Sequence, residues 1–478
     1  MSLQFITGNS GNGKTKYLFN RIVKEAKANP RDNYLVIVPE QFTMQTQRQL
    51  VDLSENKAIM NIDVLSFKRL AYRVFDELGI TNLTVLEETG KNLVLRKLAA
   101  QEADKLGVIG RNLNRIGYIS EVKSLLSELV QYNISPEELG RYIASGRLSD
   151  TLSDKLKDVL VLYEAFEKFM QDKYITAEEI LNELSNVAEE SAILRNSVIA
   201  FDEFTGFTPI QNQLIKKLFV ISKKIYVTLT IDCREDIFKS RGMQELFDMP
   251  KRTVKSLTEM AAFYGIEVEE PIILDKNYRL AENEELSFME QQLFRKRRCS
   301  FEKVPKHIHI DCLRDPKQEL TKIARRINEL VRNENLRYRD IAIVTGDVNI
   351  YVGYVREIFD KYNIPYFIDA TQEILFHPFI EFIRSIPDIA AQNFSADAVF
   401  RFLRCGFTEL SASEIDVLEN YVLACGVRGK SAWDKKWVRL PKHKAGYDLE
   451  LLNQSREYIM ELLTPVYQVF SEKNSTVK

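Results

Sequence analysis

The sequence predicts an α/β protein in which parallel sheets are interrupted by large helical segments. A short apolar run at residues 3–7 leads through a glycine-rich turn into a helical stretch at 14–28, and a second apolar run follows at 34–39. Two strands joined by a helix over such a short distance form a right-handed crossover with parallel strands. Strand-like runs return near residue 197, after a long helical stretch, and a second α/β pattern begins near residue 300.

The first α/β region is predicted to be discontinuous. Its strand-like segments resume at 197–203 and 224–232, after a stretch whose apolar residues have helical spacing, so we expect that stretch to be an insertion. A second α/β region follows, with strands expected at 307–313, 340–346 and 364–369. The predicted domains are a first α/β domain at 1–80 plus 193–290, a helical insertion at 81–192, a second α/β domain starting at 300–375, and a further helical insertion at 376–478.

The composition excludes several classes of protein. Of the 478 residues 45% are hydrophobic and 10% aromatic, so the chain can bury cores. Sixty-six Lys and Arg against 68 Asp and Glu exclude a uniformly basic nucleic-acid binder, though not a local basic face. The five cysteines form no metal-binding spacing, and no long apolar run or signal peptide is present. We therefore expect a cytoplasmic protein without membrane contact.

Residues 8–15, GNSGNGKT, match the complete P-loop pattern G-x-x-x-x-G-K-T. Glycines let backbone N–H groups converge on a phosphate, and the N-terminus of the following helix favours its negative charge. Lys14 is expected to bridge the β- and γ-phosphates of ATP, and the Thr15 hydroxyl to bind Mg²⁺. The alternative is a glycine-rich turn without a ligand. The predicted nucleotide-binding residues are Gly8, Asn9, Ser10, Gly11, Asn12, Gly13, Lys14 and Thr15.

The acidic pair Asp202-Glu203 closes the apolar run at 198–201. A phosphate loop needs such a pair at the end of another strand. Asp202 is predicted to hold Mg²⁺ through water, and Glu203 to polarise an attacking water. The alternative is that the two carboxylates only end a strand.

Later motifs resemble those of superfamily-one DNA helicases of the UvrD and RecB type. They are Gln211, nine positions after the acidic pair, the stretch 238–242 ending in Arg-Gly, and the Asn-Tyr-Arg at 277–279. The resemblance implies two RecA-like domains, and it assigns to Arg279 the role of reaching the γ-phosphate from across the cleft between them. Gln211 stays open, because Thr208 to Gln211 also reads as a helix capping box.

Within that superfamily the chain resembles the AddB (RexB) subunits of bacterial AddAB helicase–nucleases. The phrases VPEQFT at 38–43, DEFTGFTP at 202–209 and LENYVLACGVRG at 418–429 carry the likeness, which spans nearly the whole chain. It implies double-strand break processing for recombinational repair, Chi recognition on single-stranded DNA, ATP with Mg²⁺, and a heterodimer with an AddA-type helicase-nuclease. The family's 5′–3′ exonuclease motif and iron–sulfur cysteines are not found here, so we expect an N-terminal part whose last insertion is truncated.

Departures from the helicase pattern predict that this chain is not the motor. Glu235 replaces the glutamine that senses the γ-phosphate, and Ser240 replaces an aromatic residue that stacks on a base. We expect at most a weak ATPase. Two other functions remain open, an autonomous superfamily-one helicase and a P-loop kinase for a small molecule.

Both tryptophans of the chain lie in a basic segment at 428–444. Cations for phosphates and aromatic rings for bases are typical of a groove that binds single strands. The alternative is that two tryptophans four residues apart pack into a core. A basic run at 295–298 is either a solvated linker or a DNA contact. The predicted DNA-binding residues are Trp433, Trp437, Lys435, Lys436 and Arg439.

Overall fold

A computed structural model describes most of the chain, which forms two compact units. Unit 1 is Met1–His309 and unit 2 is Ile310–Lys478, and each is described by itself. The described residues are 1–81, 84–108, 110, 116–145, 148–171, 174–295, 299–370, 374–441 and 446–471.

Unit 1 contains a parallel sheet in the order β3-β2-β6-β7-β1, with β8 and β9 both pairing with the free edge of β1. This confirms the prediction of an α/β protein with parallel strands. The strands are β1 (Ser2–Gly8), β2 (Tyr34–Ile37), β3 (Ile62–Leu65), β4 (Val85–Leu86), β5 (Ile175–Thr176), β6 (Val198–Phe201), β7 (Lys224–Thr230), β8 (Glu267–Val268) and β9 (Ile272–Leu274).

Eleven α-helices are described in unit 1. None of the described helices of the chain is long and apolar enough to cross a membrane. The helices of unit 1 are α1 (Lys14–Ala28), α2 (Thr43–Leu53), α3 (Phe67–Leu78), α4 (Glu88–Gln101), α5 (Ile116–Gln131), α6 (Pro136–Ala144), α7 (Asp150–Met170), α8 (Ile180–Val187), α9 (Pro209–Ile221), α10 (Asp248–Phe263) and α11 (Glu284–Gln292).

The sheet is covered on both faces, as parallel sheets require. Successive side chains of β1 enter opposite cores, because a strand alternates its side chains between the two faces. Phe5 packs in the core formed with α3, α8, α9 and α10, whereas Ile6 packs in the core formed with α1 and α2. Both side chains are fully buried. The apolar run at the N-terminus is therefore a central strand of the molecule.

Helices α4 to α7 form a separate core within unit 1, between β3 and β6 in the sequence. The expectation that this stretch is purely helical is wrong in one detail, because β4 and β5 pair in parallel over two residues. The side chain of Lys91, in α4, is buried and forms ion pairs with Glu88 and Glu178, at 2.9 and 2.6 Å. Helix α8 packs in the core of the main sheet.

Unit 2 has two helical cores, one on α12 and α13 and the other on α14 to α18. Its described residues contain no strand, so the structure does not confirm a second parallel sheet. Some apolar side chains of the expected strands are open to solvent, with Ile310 94% and Val344 93% exposed, whereas Ile364 packs in the core of α12 and α13. An extended segment becomes a strand only when a neighbour pairs with its backbone. The helices are α12 (Pro316–Asn333), α13 (Asn349–Lys361), α14 (Pro378–Ala391), α15 (Ala396–Arg404), α16 (Ala412–Cys425), α17 (Lys430–Trp433) and α18 (Leu449–Ser471).

A candidate nucleotide site and a candidate nucleic-acid surface

The glycine-rich loop joins β1 to α1 at the carboxyl edge of the sheet. Gly11 and Gly13 have φ angles of +92° and +79°, which only glycine adopts freely. A Cβ atom at Gly11 would lie 2.7 Å from Asn277 Oδ1, so no larger residue fits. Helix α1 starts at Lys14 with no side-chain cap and no acid in its first turn. Its first N–H groups are therefore available to an anion.

The Lys14 side chain lies across this loop. Its Nζ donates hydrogen bonds to the carbonyl oxygens of Gly8 and Asn9, both at 3.0 Å. Burial lowers the pKa of Lys14, although the carboxylates of Glu203 and Asp202 oppose the shift. A half-buried ammonium whose described hydrogen-bond partners are two carbonyl oxygens is suited to exchange these partners for a phosphate.

Asp202 and Glu203 follow β6 directly and lie beside the start of α1. The Thr15 hydroxyl donates to Glu203 Oε1 at 3.3 Å. Asp202 is 1% exposed, and its Oδ1 accepts a hydrogen bond from the Thr228 hydroxyl of β7. Its Oδ2 is buried and has no hydrogen-bond partner among the described residues. Burial raises the pKa of Asp202, and the Thr228 hydrogen bond opposes the shift only in part.

Glu203 has a left-handed backbone with φ of +65°. This conformation costs a non-glycine residue about 1–2 kcal/mol. Such strain persists where the surrounding structure imposes it, and it is concentrated at functional positions. In this backbone conformation the Glu203 carboxylate accepts the hydrogen bond from the Thr15 hydroxyl.

These groups fit a magnesium–nucleotide complex. A hydroxyl oxygen from Thr15 and an unpaired carboxylate oxygen from Asp202 are hard ligands of the kind that Mg²⁺ prefers. Lys14 and the N-terminus of α1 supply positive charge for phosphates. Thr228 was not identified from the sequence as part of the site. The only signal in the sequence is that Thr228 is a polar residue within the largely apolar segment 224–230.

The Asn-Tyr-Arg motif contacts the loop from within unit 1. Asn277 Nδ2 donates to the Ser10 carbonyl at 3.0 Å, and the Tyr278 N–H donates to the Gly11 carbonyl at 3.0 Å. Arg279 Nη1 lies 3.4 Å from Ser10 Oγ, and the residue is exposed. The segment that carries Arg279 therefore packs on the loop of its own unit.

Two further loop contacts come from later in the chain. The Asn12 side chain donates to the Leu274 carbonyl at 2.5 Å, and the Asn9 side chain donates to Glu290 Oε1 at 2.5 Å. The segment from β9 to α11 thus covers one side of the loop. All eight predicted loop residues, both acids and Arg279 lie in unit 1.

The other helicase-like positions have structural partners. Gln211 forms the capping box with Thr208 at the start of α9, with hydrogen bonds of 2.9 and 3.4 Å. Glu235 pairs with Lys251 at 2.7 Å and with Arg295 at 3.2 Å. The Gln211 contact agrees with the capping alternative, and the Glu235 carboxylate is engaged by two cations.

The two tryptophans lie in the core of unit 2. Trp433 is 0% exposed and Trp437 6%, and their ring centroids are 5.2 Å apart. Phe400 and Tyr421 pack against them. Neither ring has a face open to a base, so the prediction that they stack on DNA is corrected in favour of the packing alternative.

The predicted cationic residues of this segment are on the surface. Lys435, Lys436 and Arg439 are exposed, and no described acidic group lies within ion-pair distance of them. Residues 296–298 of the other basic run and residues 442–445 lie outside the described residues.

Comparison with known proteins shows the family of this chain. A family model described as "ADDB, N-terminal" matches residues 5–290. The chain belongs to the AddB family. The match covers β1 from Phe5 onward, the glycine-rich loop, the acidic pair and the Asn-Tyr-Arg motif. The sequence resemblance to AddB is thereby confirmed.

Curated AddB relatives are each named as the B subunit of an ATP-dependent helicase/deoxyribonuclease. The protein from Lachnoclostridium phytofermentans is 39% identical over 100% of this chain and 42% of its own length. Those from Clostridium tetani and Clostridioides difficile are 34% and 33% identical, over 91% and 98% of this chain and 38% and 41% of their own lengths. The chain thus spans about two fifths of the length of the curated relatives it matches.

Proposed function

We infer that this chain is the N-terminal, helicase-like part of the B subunit of an ATP-dependent helicase/deoxyribonuclease. The names of its relatives support ATP dependence and DNA as substrate. In this proposal it acts with an AddA-type helicase-nuclease partner on double-strand DNA ends and single strands, in recombinational repair that includes Chi recognition. Two RecA-like domains and the domain borders given above are part of the proposal.

The observation that carries the nucleotide proposal is the meeting of Lys14, Thr15 and Asp202 around the glycine-rich loop. Residues 8–14 bind the phosphates of ATP through backbone N–H groups and the Lys14 ammonium. Thr15 and Asp202 hold Mg²⁺, which when bound draws electron density from the phosphates. Glu203 orients a water molecule, and Arg279, next to Ser10, neutralises charge on the terminal phosphate.

The chain is proposed to bind ATP without acting as the motor. The family resemblance implies that motor helicases sense the γ-phosphate with a glutamine, and that Glu235 occupies the equivalent position in this chain. Here Glu235 is an anion that already pairs with Lys251 and Arg295. A carboxylate held in this way donates no hydrogen bond to a phosphate.

Calorimetric titration with a non-hydrolysable ATP analogue and Mg²⁺ tests the nucleotide site. We expect binding by the unsubstituted chain and at least a tenfold weaker affinity for Lys14→Ala, since one charge-assisted contact is worth about 1.5–3 kcal/mol. Lys16→Ala is the matched control, because Lys16 is on the exposed surface of the same helix. Equal affinities for both variants, or no binding by the unsubstituted chain, would refute the proposal.

A DNA-stimulated ATPase assay separates this proposal from an autonomous helicase. We expect turnover far below the range of about 1 s⁻¹ and faster that is typical of enzymes. Sustained turnover in that range on single-stranded DNA would favour the autonomous motor.

A further inference from the structure

A surface segment of unit 2, residues 433–440, is fixed to the core beneath it; we call it the anchored strap. The side chains of Trp433 and Trp437 are buried, as described above. Asn453 of α18 bonds both peptide groups of Trp437, accepting from its N–H and donating to its carbonyl, each at 2.9 Å. The backbone of the strap is therefore held at its centre by side chain and main chain together.

Two more bonds hold its ends. Arg456 of α18 is 5% exposed and donates from Nη1 to the Trp433 carbonyl at 3.0 Å. The Tyr421 hydroxyl of α16 donates to the Arg439 carbonyl at 2.8 Å. Beyond Trp433, the last residue of α17, the strap has no regular secondary structure, and its backbone is bonded at three points to α16 and α18. These bonds fix the backbone positions from which its exposed side chains project.

The outward side chains of the strap are cationic. Lys435, Lys436 and Arg439 are exposed, and they have no acidic partner among the described residues. Some other cations of unit 2 are paired, as Lys430 is with Asp434 at 2.8 Å and Arg404 with Asp416 at 2.8 Å, whereas Arg332, Arg356 and Lys361 also have no described ion pair. What distinguishes the strap is that its three positive charges, which have no described acidic partner, lie on a backbone bonded to the core, and this reduces the entropy lost when an anion binds.

The three charges lie close together along the chain. Three residues span at most about 10 Å, so the Cα atoms of Lys436 and Arg439 are no farther apart than that. One strand of stacked DNA carries a charge about every 3.4 Å along its axis, so about three phosphates lie within that distance. Because the two indoles are buried, the strap offers charges for phosphates and no aromatic face for bases.

We propose that the anchored strap binds the phosphate backbone of single-stranded DNA without reading the bases. This inference rests on the proposed role in DNA processing and deepens it. Contacts to phosphates position a protein on a strand and carry no sequence information. Any reading of a specific sequence by this protein then belongs to other residues.

The test measures the salt dependence of DNA binding by fluorescence anisotropy, with a labelled oligothymidylate and a mixed-sequence oligonucleotide of equal length. The full chain is compared with the triple variant Lys435→Ala, Lys436→Ala and Arg439→Ala. Each phosphate contact to a single strand contributes about 0.7 to the slope of log K against log salt concentration. Loss of three contacts should reduce the slope by about 2 and weaken binding about 100-fold at about 0.1 M salt, equally for both sequences.

The matched control replaces Arg332, Arg356 and Lys361 by Ala, which removes the same charge from exposed positions of the same unit. The proposal requires that this control keep the original slope. An unchanged slope in the strap variant, an equal loss in the control, or a loss confined to one sequence would each overturn it.

Two further outcomes are informative. Displacement of the DNA by polyglutamate of similar length and equal potency would overturn the proposal in favour of an acidic protein segment. If the unsubstituted chain binds neither oligonucleotide, both the strap proposal and the proposed DNA binding of this part of the protein are refuted. If the unsubstituted chain binds DNA and the strap variant binds it equally well, only the strap proposal is refuted.

Discussion

The backbone strain at Glu203 predicts that a glycine variant at this position is more stable than an alanine variant, which is the reverse of the usual order. In the left-handed conformation alanine has a steric cost of about 1–2 kcal/mol that glycine does not have. Glycine in turn loses about 0.5–1 kcal/mol relative to alanine through its greater freedom in the unfolded chain. With φ of +65° at this residue, Glu203→Gly should therefore be more stable than Glu203→Ala by about 0.5–1 kcal/mol. Both variants lose the hydrogen bond from Thr15, so that loss cancels in the comparison.

Denaturant unfolding followed by far-ultraviolet circular dichroism measures this difference. Tryptophan fluorescence reports separately on the core of unit 2, because both tryptophans belong to it. Glu102, with φ of −95°, is the matched site in unit 1, and there alanine should be the more stable residue. Alanine equal to or more stable than glycine at position 203 would refute the reasoning and remove strain as support for a functional carboxylate.

Three further substitutions test other parts of the molecule. Asp202→Asn should abolish Mg²⁺-dependent nucleotide affinity in calorimetry yet raise the melting temperature at neutral pH, since it removes a buried charge. The raised pKa of Asp202 means that the folded chain binds this proton more tightly than the unfolded chain. The free energy of unfolding should thus increase as pH falls through that pKa, and the Asn variant should lack the increase. Glu235→Gln should lower the free energy of unfolding by about 1–2 kcal/mol, through weaker bonding to Lys251 and Arg295, without creating ATPase activity; a gain of rapid hydrolysis would contradict this. Trp433→Ala should cost about 3–5 kcal/mol in denaturant unfolding, and a variant as stable as the unsubstituted chain would contradict its core position.

The parts of the site that are local in sequence could be predicted. The loop at 8–15 and the acidic pair at 202–203 are each signalled by a few adjacent residues, since the chemistry needs them in that order. The pairing of Thr228 with Asp202 depends on β7 lying beside β6, which no local pattern contains. The position of Arg279 next to Ser10 likewise depends on how β9 joins the edge of β1.

The errors in unit 2 have a common physical origin. Apolar residues such as Ile310 and Val344 have strand-like spacing, but periodicity does not show whether a pairing partner exists. The spacing of Trp433 and Trp437 is equally compatible with a core and a surface. Burial decides between them, and burial depends on α16 and α18, which bring Tyr421, Asn453 and Arg456 to the segment.

The position of β1 at the start of the chain has a consequence for biosynthesis. One neighbour, β7, pairs Ser2 with Lys224, and the strands on the other edge follow later still. At about 5–20 residues per second, a ribosome needs about 10–40 s to supply the first partner. Throughout that interval a buried strand of the finished protein is exposed on the nascent chain, with its hydrogen-bonding groups available to any other extended polypeptide. The interposed helices α4 to α7, which have their own core, can fold meanwhile. The strand that leads into the glycine-rich loop therefore waits longest for its pairing partner, and we expect that shielding this segment during synthesis raises the yield of folded protein.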